Sequence, residues 1–217
     1  MKRLEEAKKN QQSWFRGQPL IADSLDPEFE EISYNFLCGD ILAYGSLSQE
    51  QRALIILVAL TTCQTLAAIP KYTLASLDMG AKPTEIKEAL YQCAPYIGIE
   101  KVTCALHQVN RALQDAGITY PQPPHSNVTE KTRFEKGLTI QQQIFGEGNI
   151  NAMREETPLD LKMIQDYLSA YCFGDFYTRS VLDLKMRELI TFCAICCLGG
   201  CEPQVKAHVG ANLSVGN

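Results

Sequence analysis

The chain repeats itself, and this repeat constrains its architecture more than any other feature. Residues 4–17, L-E-E-A-K-K-N-Q-Q-S-W-F-R-G, align with residues 134–146, F-E-K-G-L-T-I-Q-Q-Q-I-F-G, at Glu5/Glu135, Gln11/Gln141, Gln12/Gln142 and Phe15/Phe145. Gly39-Asp40 aligns with Gly174-Asp175, and Leu47, Arg52, Leu54, Ile55 and Ala59 align with Leu182, Arg187, Leu189, Ile190 and Ala194. After one inserted residue, Leu77 and Gly80 align with Leu213 and Gly216. Apolar matches are expected of any two bundle helices. Polar and glycine matches at a nearly constant offset are not. The sequence therefore divides into two copies, residues 1–119 and 129–217, joined by the proline-rich stretch Tyr120–Asn127. The first copy continues beyond Gly80 with two more helices, whereas the sequence ends at Asn217. The second repeat is expected to be incomplete at its C-terminus.

Every periodic segment has helical spacing, and no β-branched strand runs are interleaved, so the fold class is all-α. A polar helix fills residues 1–17. Asp26-Pro27 starts the next helix, with Phe29, Ile32, Phe36 and Leu37 at helical spacing and a break at Gly39-Asp40. Ser48 and Gln51 form a capping box ahead of R-A-L-I-I-L-V-A-L, which is apolar nearly all round and therefore central. Thr84 is the expected cap of E-I-K-E-A-L-Y-Q-C-A, and Pro95 and Gly98 are expected to kink or break that path. Gly117 closes the helix from Ile99. His125 lies in the linker and reads as solvent-exposed, and His107 as a packed or surface residue.

Composition narrows the function. The net charge is −5, with acidic and basic residues interleaved. No basic run exists to neutralise phosphates, so nucleic acid is not an expected partner. The N-terminus M-K-R-L-E-E-A-K-K-N lacks the apolar core of a signal peptide. The apolar stretch Ala53–Ile69 is interrupted by Thr61, Thr62, Gln64 and Thr65, which suits a bundle helix and not a membrane span. Nine cysteines at irregular spacing inside helical runs read as reduced, buried thiols of a cytoplasmic protein.

Reactive side chains concentrate in Arg187–Gly216, R-E-L-I-T-F-C-A-I-C-C-L-G-G-C-E-P-Q-V-K-A-H-V-G-A-N-L-S-V-G. Cys193 and Cys196 have C-x-x-C spacing but sit mid-helix and read as small core residues. At the Gly199-Gly200 break three readings compete. The plainest is a helix corner with a buried cysteine and Glu202 complementing the helix dipole. The second is thiol chemistry at Cys201, since a helix N-terminus favours the thiolate. The third is acid–base work by His208, seven residues beyond Cys201 and four beyond Gln204, with Glu188 approaching if the two helices pack antiparallel. Arg187 and Arg179 could then hold a substrate carboxylate.

Y-C-F-G-D-F-Y-T-R-S-V-L-D-L-K-M-R-E-L (171–189), followed by G-G-C-E-P-Q-V-K-A-H-V-G-A-N-L-S-V-G, resembles gamma-carboxymuconolactone decarboxylases and their relatives. G-A-K-P-T-E-I-K-E-A-L-Y-Q-C-A-P-Y-I-G (80–98) of the first copy resembles the same domain. The resemblance implies a tandem repeat of alkylhydroperoxidase D-like helical domains assembling into homo-oligomers, as trimers or hexamers of domains.

Within that superfamily the peroxidase branch uses a Glu, a C-x-x-C pair and a His four residues after the second cysteine. Glu188, Cys201 and His208 match, but Gln204 stands where the second cysteine belongs, so the usual disulfide cycle cannot close. The decarboxylase branch keeps the histidine without the cysteine pair and removes carbon dioxide from a small carboxylated lactone without a cofactor or metal. The resemblance thus implies His208, Cys201 and Glu188 as catalytic residues and Arg179, Arg187, Glu202 and Gln204 around a small carboxylate substrate. Phe176 stands where decarboxylases tend to carry tryptophan. In the first copy Tyr72 replaces His208 and Thr65 stands near the Cys201 position, so that copy is expected to be structural. The alternatives are a thiol-dependent peroxidase acting through Cys201 and a non-catalytic oligomeric binding protein.

Overall fold

The computed structural model describes residues 2–21, 25–118 and 123–217. Among them the chain is all-helical. The α-helices are α1 (Lys2–Phe15), α2 (Pro27–Tyr34), α3 (Gln49–Thr62), α4 (Ile69–Asp78), α5 (Pro83–Ile97), α6 (Ile99–Asp115), α7 (Arg133–Phe145), α8 (Glu147–Glu156), α9 (Lys162–Tyr167), α10 (Leu184–Leu198) and α11 (Glu202–Val215). Two π-helical stretches, Asn35–Ile41 and Leu168–Tyr177, continue α2 and α9. Tyr120, Pro121 and Gln122 of the linker lie outside the described residues.

Local chemistry explains most boundaries. Ser48 Oγ accepts from the Gln51 amide at 3.1 Å while Gln51 Oε1 accepts from the Ser48 amide at 3.0 Å, so the capping box opens α3. Asp183 caps α10 with its side chain alone, accepting from the Met186 amide at 2.8 Å. The cap of α5 expected at Thr84 is two positions late, because Lys82 is the N-cap and Pro83 takes the first helical place. The break expected at Pro95 does not occur. So near the C-terminus a proline forfeits a single i→i−4 bond, and α5 runs on to Ile97, where Gly98 at φ +97° ends it.

The repeated Gly-Asp pairs do not break a helix either. Both lie inside the π-helical stretches, where they serve as contact points. A Cβ on Gly39 would stand 2.8 Å from the Arg3 carbonyl oxygen, and one on Gly174 would overlap the Arg133 carbonyl oxygen. Beside them, Arg3 Nε donates to Asp40 at 2.7 Å and Arg133 Nε donates to Asp175 at 2.8 Å. Each copy thus presses its first helix onto its π-helical segment through a bare glycine backbone and one ion pair.

The two copies share a core. One apolar cluster joins Leu54 and Leu57 of α3, Ile86 and Leu90 of α5, Val109 and Leu113 of α6, and Met186, Ile190 and Ala194 of α10. Helices α3 and α10, which correspond in the repeat, pack on each other and on α5. Smaller clusters flank this centre, one around Trp14, Phe15 and Ala75, the other around Ile144, Phe173 and Ala211. Each fully buried Leu or Ile contributes about 1.5–3 kcal/mol. The shared centre therefore packs the two copies on each other and carries α5 against the second copy's polar residues.

Candidate active site

Gly199 and Gly200, both at positive φ, turn the chain between α10 and α11 so that α11 runs back along α10. Hydrogen bonds record the antiparallel register. Asn212 Nδ2 donates to the Glu188 carbonyl at 3.2 Å, and Asn217 Nδ2 to the Lys185 carbonyl at 2.9 Å. Ser214 Oγ donates to the Ile144 carbonyl at 2.8 Å and fastens α11 to α7. In this register His208 Nδ1 meets Glu188 Oε2 at 2.7 Å. A carboxylate can only accept, so Nδ1 carries the proton and Nε2 is the nitrogen left for exchange. The ring edges of Tyr96 and Phe145 confine the imidazole, at centroid distances of 6.0 and 5.4 Å. The histidine side chain keeps 10% exposure and that of Glu188 none.

Behind this pair runs a continuous chain of buried polar groups. Glu188 Oε1 accepts from Tyr177 Oη at 2.7 Å. Tyr177 Oη lies 3.0 Å from Thr191 Oγ1 and 3.2 Å from Tyr96 Oη. Thr191 Oγ1 accepts from Gln92 Nε2 at 3.2 Å, and Gln92 Oε1 accepts from Arg187 Nη1 at 2.9 Å. From Arg187 through Gln92, Thr191 and Tyr177, every donor points toward Glu188. On its other side Arg187 Nη2 reaches Glu88 Oε2 at 3.2 Å, and Arg179 Nε closes on the same carboxylate at 2.7 Å. Such chains polarise one another in a low-dielectric interior.

Electrostatics follows from burial. The interior pushes the phenols of Tyr96 and Tyr177 well above their ordinary values, with nearby Cys172 acting in the same direction on Tyr96 and Glu188 on Tyr177. Both stay neutral hydrogen-bond partners. Burial also lowers the pKa of Arg187, against the opposing pull of Glu88. Cys172, 3.3 Å from Tyr96 Oη, is pushed up to about 12 by burial and is held as a thiol.

The residues singled out from sequence divide into two groups. Glu188 and His208 come together. Cys201 stands at the N-cap of α11, where its Sγ donates to the Ile195 carbonyl at 3.2 Å. Glu202 and Gln204 are exposed on the first turns of α11. Arg187 and Arg179 both face Glu88, at the far end of the polar chain from His208. Arg187 is completely buried and also donates to the Leu182 and Arg179 carbonyls, so its guanidinium is committed within the protein. Phe176 packs edge-on against Tyr171. The cysteines are all free, but Cys63, Cys104, Cys196 and Cys197 are exposed, which corrects the expectation of buried thiols and of Cys196 as a core residue. His107 is exposed, whereas His125 is half-buried rather than solvent-exposed.

Sequence reading missed the first copy's share. Glu88, Gln92 and Tyr96 stand at i, i+4 and i+8 on α5, a polar stripe on an otherwise apolar face. That stripe was readable as a sign of buried polar partners. Tyr177 and Thr191 had no such signal, because one tyrosine and one threonine in helical sequence carry no period. A cavity of about 570 Å³ opens beside the polar chain, with Tyr177, Arg179, Ile140 and Lys136 in its wall. Among the described residues no cluster of three or more His, Cys, Asp or Glu side chains is placed to hold a metal ion. None of the described helices is long and apolar enough to cross a membrane.

Comparison with known proteins finds two matched stretches. The sequence model of the Carboxymuconolactone decarboxylase family matches residues 27–111 and 163–217, one stretch on each side of the linker. A protein named 4-carboxymuconolactone decarboxylase, from Acinetobacter baylyi, is 24% identical over 84 residues. That alignment covers 39% of this chain and 62% of the relative, so the chain spans less than two thirds of the relative's length.

Proposed function

The chain belongs to the carboxymuconolactone decarboxylase family, and from that premise we propose that it decarboxylates a small carboxylated lactone or related acid. The observation that carries this reading is the buried 2.7 Å bond between His208 Nδ1 and Glu188 Oε2. Carbon dioxide leaves when the bond to the carboxylate carbon breaks, and the electron pair moves into the lactone carbonyl as an enolate. The imidazolium form of His208 then passes its Nε2 proton to carbon. Glu188 fixes the ring by accepting from Nδ1, while Tyr177 holds Glu188 by its other oxygen. The lactone carbonyl is itself the electron sink, so the step needs no added cofactor.

In this reading there is one site per chain, in the second copy, and α5 of the first copy completes its polar support. Incubation with 4-carboxymuconolactone should release carbon dioxide, and His208→Ala should lower the rate by about 10²–10⁴-fold. Full activity in that variant would overturn the assignment. Cys201→Ser should leave decarboxylation intact. Hydroperoxide turnover that disappears in Cys201→Ser would instead establish the thiol reading.

A further inference from the structure

Arg52 and Arg187 occupy matching places in the two copies, yet among the described residues only Arg187 is answered by a carboxylate. Arg187 Nη2 donates to the Arg179 carbonyl at 3.0 Å, and Arg52 Nη2 donates to the carbonyl of the matching Tyr44 at 2.6 Å. Beyond that shared bond the two diverge. Helix α5 covers Arg187 and supplies it with Glu88 and Gln92. Arg52 is half-buried, and its other partner among the described residues is again a carbonyl, that of Ile41 at 3.3 Å. Its Nε is buried without a partner, whereas Arg187 Nε donates to the Leu182 carbonyl. A guanidinium does not give up its proton, so Arg52 keeps a full charge with only carbonyls around it.

Arg52 lines a cavity of about 660 Å³. Its wall repeats that of the cavity beside the polar chain, with Asn10, Leu42 and Leu47 standing where the second copy has Ile140, Tyr177 and Leu182. The volume falls in the range of small-molecule sites. Leu42, Leu47 and Met79 make part of the wall apolar. Two carboxylates share it. Asp78 is held by Arg16, whose Nε and Nη2 donate to its two oxygens at 2.7 and 2.8 Å. Glu6, exposed on α1, has Lys2 and Lys9 of the same wall one helical turn to either side. Arg52 is left as the cation that these acids do not answer.

We propose that this cavity binds a small carboxylate with an apolar body, which does for Arg52 what Glu88 does for Arg187. Its oxygens accept the Nη protons of Arg52 that the Tyr44 and Ile41 carbonyls leave free, and its body lies against Leu47 and Met79. The first copy, with Tyr72 in place of His208, is then a binding copy and not only a structural one. This site is separate from the one proposed for decarboxylation and stands or falls independently of it.

Calorimetric titration of the full chain with benzoate, and with benzamide as its uncharged counterpart, tests the proposal. Benzoate should bind saturably and benzamide about tenfold more weakly. Arg52→Met should bring benzoate down to the benzamide level. Should Arg52→Met not fold, Ala43→Glu carries the test. Ala43 is an exposed position of the wall next to Tyr44, and a carboxylate placed there should abolish benzoate binding without lowering the thermal midpoint. His208→Ala should keep the Arg52-dependent binding, which separates this result from any outcome on decarboxylation. Absence of saturation up to about 10 mM, equal affinity for benzoate and benzamide, or wild-type binding by either wall variant would overturn the proposal. Binding that survives Arg52→Met and disappears in His208→Ala would overturn it too, by placing the ligand at the other site.

Discussion

Arg187 and Glu188 are consecutive, both completely buried, and hold opposite ends of one hydrogen-bonded chain. Their side chains leave α10 about 100° apart, so the cation turns to Glu88 and Gln92 while the anion turns to His208 and Tyr177. Opposite charges that could have paired with each other instead take separate partners. The chain through Gln92, Thr191 and Tyr177 spans the gap between them, and its glutamine comes from the other copy of the repeat.

Tyr177→Phe keeps the ring and removes the hydroxyl that supports Glu188. It leaves Glu188 Oε1 and Thr191 Oγ1 without that partner in a closed interior. We expect a loss of about 1–3 kcal/mol, measured by urea denaturation, together with a lower rate of carbon dioxide release. Unchanged stability would show that the chain does not bear on folding.

Glu88→Leu strips the buried guanidinium of its counter-charge and should cost about 3–5 kcal/mol. Adding Arg187→Met should restore part of that loss, because the fully buried cation leaves with its counter-charge and only the partly exposed Arg179 is left without Glu88. A double variant weaker than Glu88→Leu alone would contradict this account.

The protein should lose stability on the alkaline side. Cys172, Tyr96 and Tyr177 have folded-state pKa values above their ordinary ones because burial penalises their anions. A group raised on folding contributes fully below its unfolded pKa and loses that contribution as pH rises toward its folded value. For Cys172 the window runs from 9.0 to about 12. Denaturation midpoints should fall across it, and Cys172→Ala should flatten some of the decline.

Two glycines in helical segments should respond oppositely to alanine. Gly174→Ala places a methyl into the Arg133 carbonyl and should destabilise by more than about 1–3 kcal/mol. Gly210, inside α11, has nothing within 4 Å of an added Cβ, and Gly210→Ala should stabilise by about 0.5–1 kcal/mol. Thermal melts of the two variants decide the point.

The sequence revealed helices wherever an apolar stripe or a cap marked them, as at Ser48-Gln51 and along α6. It failed where tertiary contact overrode local preference. Gly39-Asp40 reads as a helix breaker, yet close approach to α1 explains its place within a π-helical segment. At the candidate site Glu188 and His208 were readable from their spacing around the Gly-Gly turn. The arginines were not, because a guanidinium's partner is chosen by packing, and here the partner was Glu88 on a helix 99 residues away from Arg187 in sequence.

The shared core also bears on how the polar chain forms. Gln92 and Thr191 belong to one polypeptide, so their meeting is a unimolecular event whose effective concentration is set by the connecting segment. Dilution can dissociate subunits, but it does not pull these helices from each other. Whatever larger assembly the protein enters, the support behind His208 is already built within a single chain.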